Sequence, residues 1–393
     1  MKGRRFRCLI MLSLFFFLFR APLEAAVTIQ CPGDTNGDGI SEDPNIECMH
    51  LAAGDGFAKM SDGYDMYILG FTDVTGVPAD QVMTQALLKM EIAAPTIVAH
   101  EGKNFYLTLS NVGMVMRPDL FDPHTVHWHG FPNAATIFDG EPMASLAINM
   151  QSSFTYYYKV PDPGTYIYHC HVEATEHMQM GMLGNLYVLP KQNDLADGTL
   201  LNGFTHHTGY KYVYNDGDGS TYYDVEYPIQ IQTYASNFHD AHINVQPLPF
   251  AAMFDDYPTF NGRTYPDTIN PTSIMNKDGN PSQKVSSLIT ATRGQKILLR
   301  LSSLATIDTH TLGIIGMNMK VVGKDAHILR NPAGLNLYYQ TNSLALGGGE
   351  SYDVILDTSA VEAGTYFLYA RNLNHMSNRT QDQAGMITEI VIQ

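Results

Sequence analysis

Residues Pro163-Gly-Thr-Tyr-Ile-Tyr-His-Cys-His171 decide the reading of this chain, because Ala363-Gly-Thr-Tyr-Phe-Leu-Tyr-Ala-Arg371 repeats them near its other end. Both copies start at a glycine and run through aromatic and β-branched residues, the composition of a strand. A second pair repeats in the same order: His124-Thr-Val-His-Trp-His-Gly130 is echoed by His310-Thr-Leu-Gly-Ile-Ile-Gly316. Two matched pairs in one order imply a duplicated unit. Asn104-Phe-Tyr-Leu-Thr-Leu-Ser110 and Tyr156-Tyr-Tyr-Lys-Val160 add strands, turn clusters such as Pro161-Asp-Pro-Gly164 separate them, and long helical periodicity is scarce. The chain is therefore expected to be all-β, with two tandem β-sandwiches at about 55–190 and 226–393. The Asn-, Asp-, Gly- and Tyr-rich stretch 191–225 reads as a linker.

The 393 residues are 45% hydrophobic, ample for two cores and against disorder. Asp and Glu outnumber Lys and Arg by 39 to 23, a net charge of −16, which repels phosphate backbones and anionic lipid. No nucleic-acid partner is expected. Lys2, Arg4, Arg5 and Arg7 precede an apolar run from Cys8 to Phe19, and Ala25 and Ala26 follow, so residues 1–26 read as an export signal. The product is expected to be secreted, periplasmic or extracellular.

In an oxidising compartment Cys31 and Cys48, which bracket a polar loop within 27–54, suit a disulfide. That loop carries Asp34, Asn36, Asp38 and Glu42 with Gly39 at the sharp turn and Ile40 offering a carbonyl. The pattern is that of a calcium loop in a secreted module, although Asn45 stands where a bidentate Glu is usual. The competing reading is an Asx-rich turn without an ion.

With Cys8 removed in the export signal, pairing those two cysteines leaves Cys170 alone, and metal ligation explains such a thiol best. His124, His127 and His129 lie close together in the chain; His169, Cys170 and His171 are consecutive; His177 and Met182 follow. On a strand, alternate residues share a face. His127 and His129 then point one way with His169 and His171, while Cys170 points the other way, into its sandwich. One thiolate, two imidazoles and a weak thioether describe a blue-copper site, here Cys170, His124, His177 and Met182. The four-imidazole face suits copper or zinc.

These motifs, His-x-x-His-x-His-Gly and His-Cys-His with a later His and Gly-Met, resemble those of multicopper oxidases, the laccase-like cupredoxin family. The likeness spans most of the chain beyond residue 60 and is closest to two-domain members whose type 1 copper lies in the first domain. The Cys170-to-His177 loop is two residues longer than in three-domain laccases. The resemblance implies tandem cupredoxin-like Greek-key sandwiches, type 1 copper on His124, Cys170, His177 and Met182, type 2 copper at His127 and the type 3 pair at His129, His169 and His171. It also implies that electrons from a small-molecule, metal-ion or cytochrome donor pass from Cys170 through His169 and His171 toward dioxygen. A homotrimer, in which a second domain completes the cluster, is implied as well.

The second copy departs from that pattern. His127 maps to Gly313, His129 to Ile315, His169 to Tyr369, His171 to Arg371 and Cys170 to Ala370, leaving His310 and His375. Three functions stay open: a copper oxidoreductase reducing dioxygen, a non-catalytic blue-copper carrier or copper-binding protein, and a nitrite-reductase-like type 2 copper enzyme using His129 and His169 with His310 of a neighbour. His206, His207, His239, His242 and His327 all lack the family's paired strand spacing; His239 and His242 read first as solvent-exposed loop residues, with reach to a neighbour's site as the alternative. Methionines around the motifs (Met114, Met116, Met143, Met150, Met178 and Met180) read first as core filling.

Overall fold

The computed structural model describes residues 27–132 and 134–393, so the expected export signal at 1–26 lies outside the described residues. In the first half, β1 (Ile46–Lys59), β2 (Asp65–Asp73), β3 (Ala94–His100), β4 (Asn104–Gly113), β5 (His127–His129), β6 (Ser152–Lys159), β7 (Gly164–His169) and β8 (Leu183–Leu189) build two sheets. Their strand orders are β2-β1-β4-β6 and β3-β8-β7-β5. β1 pairs parallel with β4 and β3 parallel with β8, while every other neighbouring pair is antiparallel. The core they share holds Trp128, Tyr158, Tyr168, Cys170 and Met182, while a second cluster with Ala52, Ile68 and Met90 covers the other side of β1 and β2. Trp128 stacks on Tyr158 with ring centroids 3.8 Å apart.

The second half repeats this plan with β9 (Val225–Tyr234), β10 (Tyr257–Phe260), β11 (Ile289–Ala291), β12 (Lys296–Ser303), β13 (His310–Ile314), β14 (Met319–Lys324), β15 (Ser343–Leu346), β16 (Ser351–Asp357), β17 (Gly364–Ala370) and β18 (Ile387–Ile392). One sheet runs β10-β9-β12-β16-β14, with short strands His327–Ile328 and Tyr339–Thr341 on β14; the other runs β11-β18-β17-β13-β15. Parallel pairs recur at the equivalent places, β9 with β12 and β11 with β18. The duplication expected from two short sequence echoes therefore extends to the four-strand order of each sheet, to which the second half adds β14 and β15 at the edges.

Two boundaries differ from the sequence expectation. β1 begins at Ile46, inside the expected 27–54 loop, because Cys48 sits in the strand that pairs with β4. The Cys31–Cys48 disulfide thus fastens the loop to the sheet edge. Residues 191–225 are an ordered layer rather than a free linker. Tyr212, Val213, Tyr214 and Tyr223 are buried, and Asp216 accepts the N–H groups of Asp218, Gly219 and Thr221. The polar composition that suggested a linker serves turns that cover the sheet of β12 and β16.

A buried polar seam joins the sandwiches. Arg300 on β12 reaches Glu226 at 2.7 Å and Asp353 at 3.6 Å, and it donates to Thr165 of β7. Thr165 and Tyr214 both donate to the Asp353 carboxylate. No helix among the described residues is long and apolar enough to cross a membrane.

Candidate metal centre

β5 and β7 pair in register, His127 opposite His169 and Trp128 opposite Tyr168. The two-residue period then sorts the chemistry. Trp128 and Tyr168 enter the core, and Cys170, one step past β7, follows Tyr168 inward. His127, His129, His169 and His171 line the opposite side. Cys170 is fully buried.

Around Cys170 three segments converge. His124 is held by a two-bond bridge to Ile148. His177 sits on α1 (Ala174–Met180), which ends at Gly181 in a left-handed conformation, φ 118°. A Cβ at Gly181 would lie 2.6 Å from Ile92 Cγ2 and 2.9 Å from the Leu69 carbonyl, so only glycine turns the chain here into Met182. The Met182 N–H donates to the His177 carbonyl, and the Cys170 N–H donates to that of Met182. Cys170 Sγ then lies 3.2 Å from His177 Nδ1 and 4.0 Å from His124 Nδ1, and it accepts the Thr125 N–H at 3.4 Å.

Burial alone would push the Cys170 thiol up; His177 and then His124 overcome it and bring it to about 5. Burial disfavours the His177 imidazolium in turn, but the Cys170 sulfur and Asp122 raise it. Asp122 Oδ1 stands 3.2 Å from His177 Nε2 and fixes that ring behind its ligand nitrogen. A thiolate facing two Nδ1 atoms in a dry pocket, with a buried carboxylate behind one ring, is a donor set that could hold a soft metal ion.

On the other face His127 Nδ1–H donates to the Asp139 carbonyl at 2.6 Å and His169 Nδ1–H to the Cys170 carbonyl at 2.8 Å. A carbonyl only accepts, so in both rings the lone pair lies on Nε2. His169 Nε2 faces His129 Nδ1 at 3.3 Å, and the His171 ring centroid is 5.1 Å from that of His127. Burial lowers His127, His129 and His169, the last to about 3, so these rings are neutral and ready to ligate at neutral pH. His127, His129 and His169 bring ligand nitrogens within 4.8 Å of one another, as do His124, Cys170 and His177.

Two family models described as multicopper oxidase match residues 72–193 and 246–391. The chain belongs to the multicopper oxidase family. It is 25% identical over 300 residues to a laccase of Phlebia radiata, covering 75% of this chain and 48% of the laccase. Among solved structures, a blue copper oxidase from Nitrosomonas europaea superposes with a TM-score of 0.62 at 22% identity, covering 88% of this chain and 86% of that one. A copper nitrite reductase from the same organism gives 0.58 at 16% identity, covering 88% and 94%. The chain spans about half or less of the length of the curated relatives it matches.

The second sandwich lacks the imidazoles of the first, and the strand register shows what stands in their place. Gly313 pairs with Tyr369 as His127 pairs with His169. A Cβ on Gly313 would come within 2.9 Å of Arg371 Cδ, so the arginine side chain fills the space an imidazole would take. The remaining histidines stay apart from the four-imidazole face among the described residues. His239 and His242 are buried on α2 (Ser236–Ile243), bonded to the Tyr67 carbonyl and near Glu176, so they cannot reach a neighbouring chain. His310 is also fully buried, facing His375 of its own domain, which removes it as a ligand donated to a neighbour. His206 bonds Tyr212, and His207 and His327 lie exposed near Asp197 and Asp325.

In the Asp34 loop the carboxylates serve the backbone. Asp34 accepts from Gly37 and Gly39, Asn36 from Asp38, Asp38 from Ile40, and Glu42 from Thr35. Sequence reasoning passed over Asp122 and Asp139, the groups behind the ligand rings. The Asp-x-His spacing of Asp122 and His124, repeated by Asp308 and His310, was the available signal for the first.

Proposed function

We propose that this protein is an exported copper oxidoreductase taking single electrons from a reductant at the Cys170 site and delivering them toward dioxygen at the four-imidazole face. The donors fit copper at both places: a deprotonated thiol with two imidazoles and Met182 at one, and neutral imidazoles whose lone pairs lie on Nε2 at the other. His124, Cys170, His177 and Met182 would hold type 1 copper, and His127, His129, His169 and His171 the imidazole-bound copper. Copper so held supplies reversible one-electron chemistry.

The observation that carries the proposal is a single peptide junction. Cys170 reaches its cage on the buried side while His169, one residue earlier, opens on the opposite face and donates to the Cys170 carbonyl. Residues 169–171 thus span both centres through a few covalent bonds. Trp128 and Tyr168 pack in the same buried core as the sulfur, away from solvent.

Copper-loaded protein is expected to show intense thiolate-to-copper charge transfer, type 1 and type 2 paramagnetic signals, and oxygen consumption with a phenolic or ferrous donor. Cys170→Ser should abolish the colour and the oxygen uptake. A colourless copper-loaded protein whose Cys170 alkylates freely would overturn the proposal.

The close gathering of His127, His129 and His169, without ligands from the second sandwich, favours a second reading in which this face holds one type 2 copper. Nitrite turnover lost in His129→Ala, with no oxygen uptake, would select it. One copper per chain, purely type 1, would leave an electron carrier.

A further inference from the structure

The second sandwich keeps nearly every element of the first blue-copper cage except its sulfur. The Ala370 N–H donates to the Met386 carbonyl and the Met386 N–H to that of His375, as Cys170, Met182 and His177 bond in the first sandwich. His310 and His375 turn their Nδ1 atoms toward each other at 3.0 Å, and Asp308 Oδ2 stands 3.3 Å behind His375 Nε2, as Asp122 stands 3.2 Å behind His177. His310 Nε2 is buried without a partner, and so is His124 Nε2. In the first sandwich the Thr125 N–H points at Cys170 Sγ; in the second the Thr311 N–H points at Asn372 Oδ1, 3.2 Å away.

From this correspondence we infer that His310, His375 and Met386 form a second, thiolate-free copper site that takes Cu(I). The chemistry runs from the donors. Asp308 draws the His375 proton to Nε2, which leaves its Nδ1 lone pair facing His310. An ion between the two Nδ1 atoms would take the place of the one proton they can share, with His310 Nε2 left unpartnered as His124 Nε2 is in the first cage. His310, His375, Ala370 and Met386 are all buried, so a monovalent ion is far less costly to desolvate than a divalent one, and one carboxylate balances it. Imidazole and thioether without thiolate select Cu(I), and loss of the sulfur removes the covalent path toward the neighbouring strand residues. The site would therefore store or receive cuprous ion without joining electron transfer. It borrows the first cage as a geometric template and stands independently of oxidase activity.

The test is anaerobic titration of the full chain with cuprous ion against a chromophoric Cu(I) chelator. His310→Ala/His375→Ala should bind one equivalent fewer per chain than the native sequence while the blue absorption of the oxidised protein stays unchanged. An unchanged copper count in the folded double variant overturns the inference. Ala370→Cys provides the second measurement, needed if the double variant does not fold. Restoring the sulfur should about double the blue absorption per chain, and no gain would overturn the inference. Absence of blue colour in the native protein would instead sink the proposed function, so the two failures are separable.

Discussion

Asp122 offers the sharpest perturbation of the centre. Its carboxylate lies 3.2 Å from His177 Nε2 and 3.9 Å from His124 Nδ1, and its side chain is 8% exposed. Asp122→Asn keeps the shape and removes the charge. At an effective dielectric near 20, a full charge pair at that separation is worth about 5 kcal/mol, an upper bound because the ligated ring is only partly cationic. Removal of a ligand-orienting partner typically lowers metal affinity about 10- to 100-fold, or about 1.4–2.7 kcal/mol. The expected result lies in that range: weaker copper retention in chelator competition, followed by charge-transfer absorption, with the band present at saturation because Cys170, His124 and His177 remain. The conformation should hold, since Asn111 bonds the Asp122 carbonyl rather than its side chain. An affinity within twofold of the native value in a folded variant would refute the claim that Asp122 orients His177.

Gly181→Ala should cost at least ~2 kcal/mol and displace Met182, since its Cβ meets backbone and Ile92 at a positive φ; an unaltered charge-transfer spectrum and melting temperature would contradict this. Arg300→Met leaves the buried Asp353 without its cation and should destabilise the chain by about 3–5 kcal/mol in urea, with the two sandwiches losing cooperativity; a loss under ~1 kcal/mol would show that Thr165 and Tyr214 suffice. His100 is raised by its bond to Glu47, so this pair stabilises below the usual histidine range and fades as pH rises through the raised value. Glu47→Gln should therefore cost on the order of 0.5 kcal/mol near pH 6, after discounting for the half-exposed ring, and less near pH 9; an equal cost at both would exclude the charged pair.

The grouping of the candidate ligand residues was readable in the sequence because strand periodicity is strict. Once His127-Trp-His129 and Tyr168-His-Cys170 lie on strands, alternation alone sends the imidazoles to one face and the sulfur to the other. The duplication was likewise legible from two echoed segments, and pairing of Gly313 with Tyr369 confirms the alignment that exposed the missing histidines. Composition misled at 191–225, where polar and aromatic residues resemble a linker but bury tyrosines against the second sandwich. The sequence misled at His239 and His242, which read first as exposed loop residues, and at His310 as a ligand for a neighbour, because order along the chain does not say that a histidine is sealed in its own domain. Asp122 behind His177, Arg371 in the space beside Gly313 and the His310–His375 pair arise from segments distant in the chain. Local pattern sets which face a side chain takes; only the closed sandwich decides what meets it there, because burial and non-local contact are properties of packing rather than of order along the chain.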